Sequence, residues 1–186
     1  GTGALTINSC MRRLQALHPD FSRLYQEIGY CRVGLRDGPG AIEAFLKAVN
    51  LNAALPGSWG MLERMYTMSG DATSARAAAA HVAILAKLPP EIVTANSMFS
   101  DHELESAEQM IRSYLLQNGN HVEAMRLLAR IGLQQDALDD AELLLSAVLE
   151  MQPDYLAARF DYVTVLMRRH RHQAEEEDVA PRHLGI

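Results

Sequence analysis

Tyr25-x2-Ile28-Gly29 with Ala41-x3-Phe45-x2-Ala48, followed by Trp59-x2-Leu62-x3-Tyr66 with Ala75-x3-Ala79-x2-Val82, lie head to tail between Ser22 and Val82. Tyr25 to Trp59, Ala41 to Ala75 and Ala48 to Val82 all repeat at one and the same interval. Apolar residues at intervals of three and four define one face of a helix, so each copy reads as two helices. Self-similarity at a fixed period of this length means stacked units, each burying its apolar face against its neighbours.

Bulky, Leu-Gly-like, Tyr, small Ala and aromatic positions on a beat of about 34 residues resemble the tetratricopeptide repeat signature. Trp59, Leu62 and Tyr66 match its first helix, with Glu63 in place of Gly; Ala41 and Phe45 match its second, and Arg32 replaces the Tyr of the first copy. The resemblance implies an all-α tetratricopeptide-repeat solenoid, a right-handed superhelix of about ten helices in antiparallel pairs. More narrowly, Leu55-Pro56-Gly57-Ser58-Trp59, Leu88-Pro89-Pro90-Glu91 and Pro153-Asp154-Tyr155-Leu156-Ala157-Ala158-Arg159 resemble the amino-terminal repeats of bacterial tetratricopeptide-sulfotransferase fusion proteins. In that family a separate domain carries the donor-binding loop of Ser, Gly and Thr. No such loop occurs here, so this chain is read as non-enzymatic and as the repeat module alone.

The beat continues outward from the opening pair. Ile7, Met11 and Leu14 occupy the places of Ala41, Phe45 and Ala48, making 5–17 the second half of a leading repeat that His18-Pro19 ends. Repeats are expected over 22–55, 56–88, 89–121 and 122–155. Asp37-Gly38-Pro39-Gly40 and Ser69-Gly70-Asp71 read as the turns of the first two, and Asp71 as a helix cap. The alanine run 77–80 predicts close approach of a neighbouring helix. Ala75 to Ala107 falls two short of the full interval, so the third repeat has lost two positions, from its first helix or its turn. Ser100-x-x-Glu103 reads as a capping box opening its second helix. Ala107 to Ala141 restores the full interval, and Pro153-Asp154 echoes Pro19-Asp20.

A half-repeat, 156–171, should complete a repeat domain over 1–171, followed by an acidic tail, 172–186, expected to be disordered. Ending mid-repeat predicts either a piece of a longer protein or a last helix that caps against a partner.

A formal charge of −6 and a pI near 5.6 argue against nucleic acid and anionic membranes as partners. No apolar run approaches the length of a membrane span, and no secretory signal opens the sequence. The two cysteines, Cys10 and Cys31, sit among apolar neighbours and read as buried free thiols of a reducing, cytoplasmic compartment. The seven histidines are scattered; His170 and His172, two apart, point to different helix faces, so neither a metal nor another cofactor is expected. The run Arg168-Arg169-His170-Arg171-His172 reads as a solvated helix end, its charge favourable to the C-terminal dipole. No phosphate loop, His-Glu-x-x-His or nucleophile elbow is present.

Tetratricopeptide arrays are similar in lining a concave groove with their first helices. Carried onto this register, the groove positions are Arg23, Gln26, Tyr30, Arg64, Met68, Glu123, Arg126, Arg130 and Gln134. Arg126 and Arg130, four apart on one face, present two guanidinium forks to a carboxylate. The expected function is a protein-interaction scaffold that takes an acidic or extended peptide, or a partner domain. The alternative for these arginines is pairing with glutamates of adjacent helices, such as Glu63 or Glu123. A structural role as a homodimerisation module, through the unpaired last helix, is the second functional reading.

Overall fold

The computed structural model describes residues 2–179, with side chains described for 9 and 11–173. These residues are all-α, with no strand among them. Ten helices follow in order: α1 Thr2–Leu17, α2 Ser22–Gly34, α3 Gly38–Leu51, α4 Pro56–Ser69, α5 Ala72–Leu85, α6 Pro90–Ser100, α7 Leu104–Asn118, α8 Val122–Gln134, α9 Leu138–Met151 and α10 Leu156–Val179. The chain forms two compact units, Gly1–Glu103 and Leu104–Ile186, where the sequence predicts one continuous array. The division falls inside the short third repeat.

The repeat is recorded most sharply in its turns. Arg36, Gly70, His102 and Asp136 each take the left-handed conformation, with φ of 60°, 81°, 62° and 64°. The first and last steps between them are full periods, and the middle one is short by two. After each, a backbone N–H reaches back five positions: Asp37 to Arg32, Asp71 to Tyr66, Glu103 to Met98 and Ala137 to Gly132, at 2.8–3.0 Å. That bond closes a helix C-terminus and reverses the chain. The residues preceding the first helices are Phe21, Leu55, Pro89 and His121. Here the first two steps are full periods and the third is the short one. Helix α6 therefore starts on the beat while the turn after it arrives two residues early. The loss lies in α6 itself, 11 residues long against 13 for α2 and α8 and 14 for α4.

Several local expectations are corrected. Gly38-Pro39-Gly40 is the first turn of α3, and the turn proper is Leu35-Arg36-Asp37. Gly40 is required there because a Cβ would meet the Asp37 carboxylate that caps its N–H. Ser100 forms no capping box; it ends α6, and its hydroxyl donates to Asn96 O. Asp71 does cap α5, accepting from Ser74 N–H at 3.1 Å, and its hydrogen bonds with Ser74 hold its carboxyl below the usual range. In the alanine run only Ala78 is buried. Cys31 is a free but exposed thiol, because it faces away from the α2–α3 contact; the Cys10 side chain lies outside the described residues. Helix α10 passes Arg171 and runs to Val179, and the remainder of the expected tail, 180–186, lies outside the described residues.

In the first unit, Phe45 is wholly buried at the α2–α3 contact. A Cβ at Gly29 would stand 2.6 Å from its ring, so glycine is what lets the two helices close. Tyr25, Ile28, Ala44, Ala48 and Leu55 pack on one side of it, and Val49, Leu62 and Ala78 extend the core toward α4 and α5. Trp59 stacks on His81 at 3.9 Å and donates to Ala53 O. In the second unit, Met125, Ala129, Leu138, Ala141, Leu145, Val148, Ala158 and Val165 form one core of α8, α9 and α10.

The far end of the first unit is tied to its beginning by buried polar groups. Asn52, just past α3 and 1% exposed, donates through Nδ2 to Ser97 O and Oγ at 3.0 Å and to Ser22 Oγ at 3.1 Å. Its Oδ1 accepts from Ala54 N–H. The Asp101 carboxylate accepts from Ser22 N–H at 3.0 Å, so α2, whose preceding residue Phe21 offers no capping side chain, is capped by a residue 79 positions later. A carboxylate suits the partial positive charge of a helix N-terminus. Replacing Asn52 by Leu takes the amide donor from the buried Ser22 and Ser97 hydroxyls and the Oδ1 acceptor from Ala54 N–H, while Ser97 O keeps Asp101 N–H and the Asp101 carboxylate keeps Ser22 N–H and Arg23. The expected loss is about 2 kcal/mol, read from the urea midpoint of the single Trp, Trp59; an unchanged midpoint would remove the knot from the stability argument.

Candidate interaction surfaces

Of the groove positions in the first unit, three are engaged internally. Arg23 reaches Asp101 at 3.4 Å and Glu103 at 3.6 Å. Gln26 accepts from Ser58 Oγ at 3.0 Å, joining α2 to the start of α4. Tyr30 meets Phe45 edge-on at 5.2 Å, and its hydroxyl lies 2.8 Å from where a Cβ on Gly57 would stand. Glycine at 57 therefore admits the tyrosine over the first turn of α4. Arg64 and Met68 are exposed, Met68 at 88%. Arg64 has no ion pair among the described residues. Gly57, Met61, Arg64 and Met68 follow at intervals of four, three and four, which sets them on one face of α4. Nothing stands within 4 Å of a Cβ at the adjacent Gly60.

In the second unit the arginine pair has a different fate. Arg126 Nε donates to Asp161 Oδ2 at 2.7 Å and its Nη1 to the Tyr155 hydroxyl at 3.1 Å, which donates onward to Glu123 Oε1 at 2.6 Å. The ion pair is mostly shielded, at 20% and 13% side-chain exposure. Burial disfavours the Arg126 charge, but Asp161 and Tyr155 outweigh it and raise its pKa. Burial, then the Arg126 charge one turn away, lower that of Arg130. The Tyr155 phenol is pushed up by burial and by its bond to Glu123. Gln134 is exposed at the end of α8.

For Arg126, Glu123 is reached through Tyr155 and the direct counter-charge is Asp161. Asp161 follows Arg126 by 35 positions, one repeat and one residue on, hence on the next first helix. That spacing is a usable signal in the sequence. Asp101 and Asn52 carry none, since the knot joins segments that the repeat register does not bring together.

The basic run on α10 lies mid-helix, which corrects its reading as a solvated helix end. Arg168 donates to Leu133 O at 2.9 Å, at the C-terminal end of α8, where a cation is favoured by the helix dipole. Arg169 pairs with Glu142 and with Asp139, the latter at 3.2 Å, and His172 stands 3.7 Å from Asp136. These residues clasp the α8–α9 hairpin. Among the described residues, no three His, Cys, Asp or Glu side chains are grouped to hold a metal, and no helix is long and apolar enough to cross a membrane.

No family model and no curated protein matches the chain. Among the solved structures similar to it are three that share 16% identity with it. YrrB, described as a TPR protein with an unusual peptide-binding site, has a TM-score of 0.40 over 94% of each chain. MamA has 0.36 over 90% of this chain and 98% of its own. TTC0263, a thermophilic TPR protein of Thermus thermophilus, has 0.32 over 78% and 99%.

A structural Arg126 gives a defined outcome. Arg126→Ala and Asp161→Ala each destabilise the second unit, and a double-mutant cycle returns a coupling of about 1–2 kcal/mol, as expected of shielded neighbours in one network. Additive losses in thermal unfolding would show instead that the two groups act independently.

Proposed function

We propose that the chain is a protein-interaction scaffold, and that in its first unit the α4 face of Gly57, Gly60, Arg64 and Met68, flanked by Tyr30, receives an extended peptide with acidic and apolar side chains. The observation that carries this reading is the contrast among the arginines. Arg23 and Arg126 spend their charge on carboxylates of their own unit, while Arg64 stands exposed one turn from an 88% exposed methionine. Gly60, with open space where a Cβ would stand, lets a peptide backbone approach closely. A methionine adapts its shape to varied apolar partners, and an unspent guanidinium selects a carboxylate. Arg126, Arg130 and Gln134 belong to the second unit; the relay through Asp161 and Tyr155 makes Arg126 a positioning residue there rather than a docking one.

The sequence resemblance in the linkers extends the proposal: the module would present a protein substrate to a linked sulfotransferase domain. That extension rests on Leu55–Trp59, Leu88–Glu91 and Pro153–Arg159 alone.

The test is a titration of the full chain against a library of acidic peptides containing apolar residues. Arg64→Glu is expected to weaken the best binders about tenfold, or about 1.4 kcal/mol, with Arg64→Lys retaining most of the affinity and Met68→Ala losing the preference for apolar side chains. Both positions are exposed, so far-ultraviolet dichroism should not change. Equal affinity of wild type and Arg64→Glu would overturn the assignment of this face.

A further inference from the structure

Helix α10 has two opposite faces. Ala158, Tyr162 and Val165 enter the core of the second unit, and Asp161, Arg168, Arg169 and His172 bind α8 and α9 on the same side. On the other side Leu156, Phe160, Val163 and Met167 are 76%, 74%, 53% and 62% exposed. Their spacing of four, three and four is the seam of a two-helix contact.

The repeat register explains what that seam is for. Val163 stands one full period beyond Ala129, which is wholly buried in the core that α8 shares with α9. In the first unit the matching residue is Gly29, pressed against Phe45 of α3. Val163 thus stands where a first helix receives its second, while Phe160, one full period beyond Arg126, stands where α8 meets the next first helix; the exposed stripe takes in both positions. After turns at 36, 70, 102 and 136 the next would fall near 170, but α10 continues unbroken to Val179.

We infer that this stripe takes the α10 helix of a second copy of the chain, antiparallel, about a two-fold axis between Phe160 and Val163. Reversing the stripe onto itself sets Leu156 against Met167 of the other copy and Phe160 against Val163. An isologous contact of this kind is self-complementary by symmetry. Charge chooses the direction. In the antiparallel arrangement exposed Arg171 lies beside the Gln152–Asp154 end of the other copy, where the Asp154 carboxylate is fully exposed and holds only a 3.6 Å contact to Arg159. A parallel pair would set Arg159 and Arg171 each beside its own copy, like charge against like. One seam of four side chains per copy falls short of the ~1,200 Å² of a standard interface, so the dimer dissociates on dilution.

The experiment is light scattering and sedimentation of the full 186-residue chain over a concentration series. The mass is expected to rise from 20.6 kDa toward twice that value. Phe160→Asp, at an exposed position, should hold the protein at monomer mass with unchanged helical dichroism. Arg171→Asp should raise the dissociation constant several-fold, and the exchange Asp154→Arg with Arg171→Asp should restore it. A monomer at every concentration, or a dimer indifferent to Phe160→Asp, overturns the inference. A dimer that Phe160→Asp abolishes but the charge exchange does not rescue overturns its antiparallel register.

Discussion

Two short helices joined by a tight turn cannot bury both of their faces against each other. Each pair buries one face internally, as Phe45 does against Gly29, and needs a neighbour for the other. That requirement governs both units. Where a neighbour is present, positions on the beat are sealed: Ala41, Phe45, Ala48 and Leu62 in the first unit, Ala129, Ala141, Leu145 and Val148 in the second. Where the beat falters, the same register positions open. Val49 is buried, whereas Ala83, one period later on α5, is exposed.

Helix α6 answers the same requirement differently. Two residues shorter than α2, it buries Ile92, Val93, Ala95, Ser97 and Phe99, which take up a broad half of the helix rather than one narrow stripe. Its C-terminal end is fixed to the start of α2 by Asp101 and to the end of α3 by Asn52. Buried polar groups contribute little net stability when paired but cost heavily when left unpaired. The knot therefore acts chiefly against alternatives: a shift of α6 by one residue would strand Asn52, Ser97 and an essentially buried carboxylate together.

The pairing of helices is legible because it rests on small and bulky side chains at fixed intervals, which the sequence displays directly. Turn positions are less so. Of the four turn residues within the repeats, Arg36, His102 and Asp136 are not glycine, and only Gly70, like Gly119 after α7, advertises the conformation by having no Cβ. The glycines that draw attention, Gly38 and Gly40, stand one turn later, where Gly40 makes room for a cap. Cys31 and the alanine run depart from expectation for one reason: apolar neighbours in sequence do not reveal which side of a helix finds a neighbour in space. The sequence sets the arginines on helix faces and the repeat spacing points from Arg126 to Asp161, but Asp101 reaches Arg23 from a segment outside that register and is fixed by tertiary packing.

That last point reshapes what recognition by this chain can rest on. A row of arginines along the first helices suggests a surface that captures acidic ligands by charge, yet folding neutralises much of the row from within. Arg23 and Arg126 become struts, and Arg169 becomes a clasp on the neighbouring hairpin. Large apolar side chains stay exposed on the same helices: Met68 beside Arg64 on α4, and Leu156, Phe160, Val163 and Met167 on α10. In each place an exposed guanidinium lies nearby, Arg64 in the first and Arg171 in the second. Exposed ion pairs contribute roughly 0–1 kcal/mol, less than the burial of one large apolar side chain at about 1.5–3 kcal/mol. Association at either proposed surface would thus be driven by apolar contact, with the arginine deciding orientation and register rather than strength.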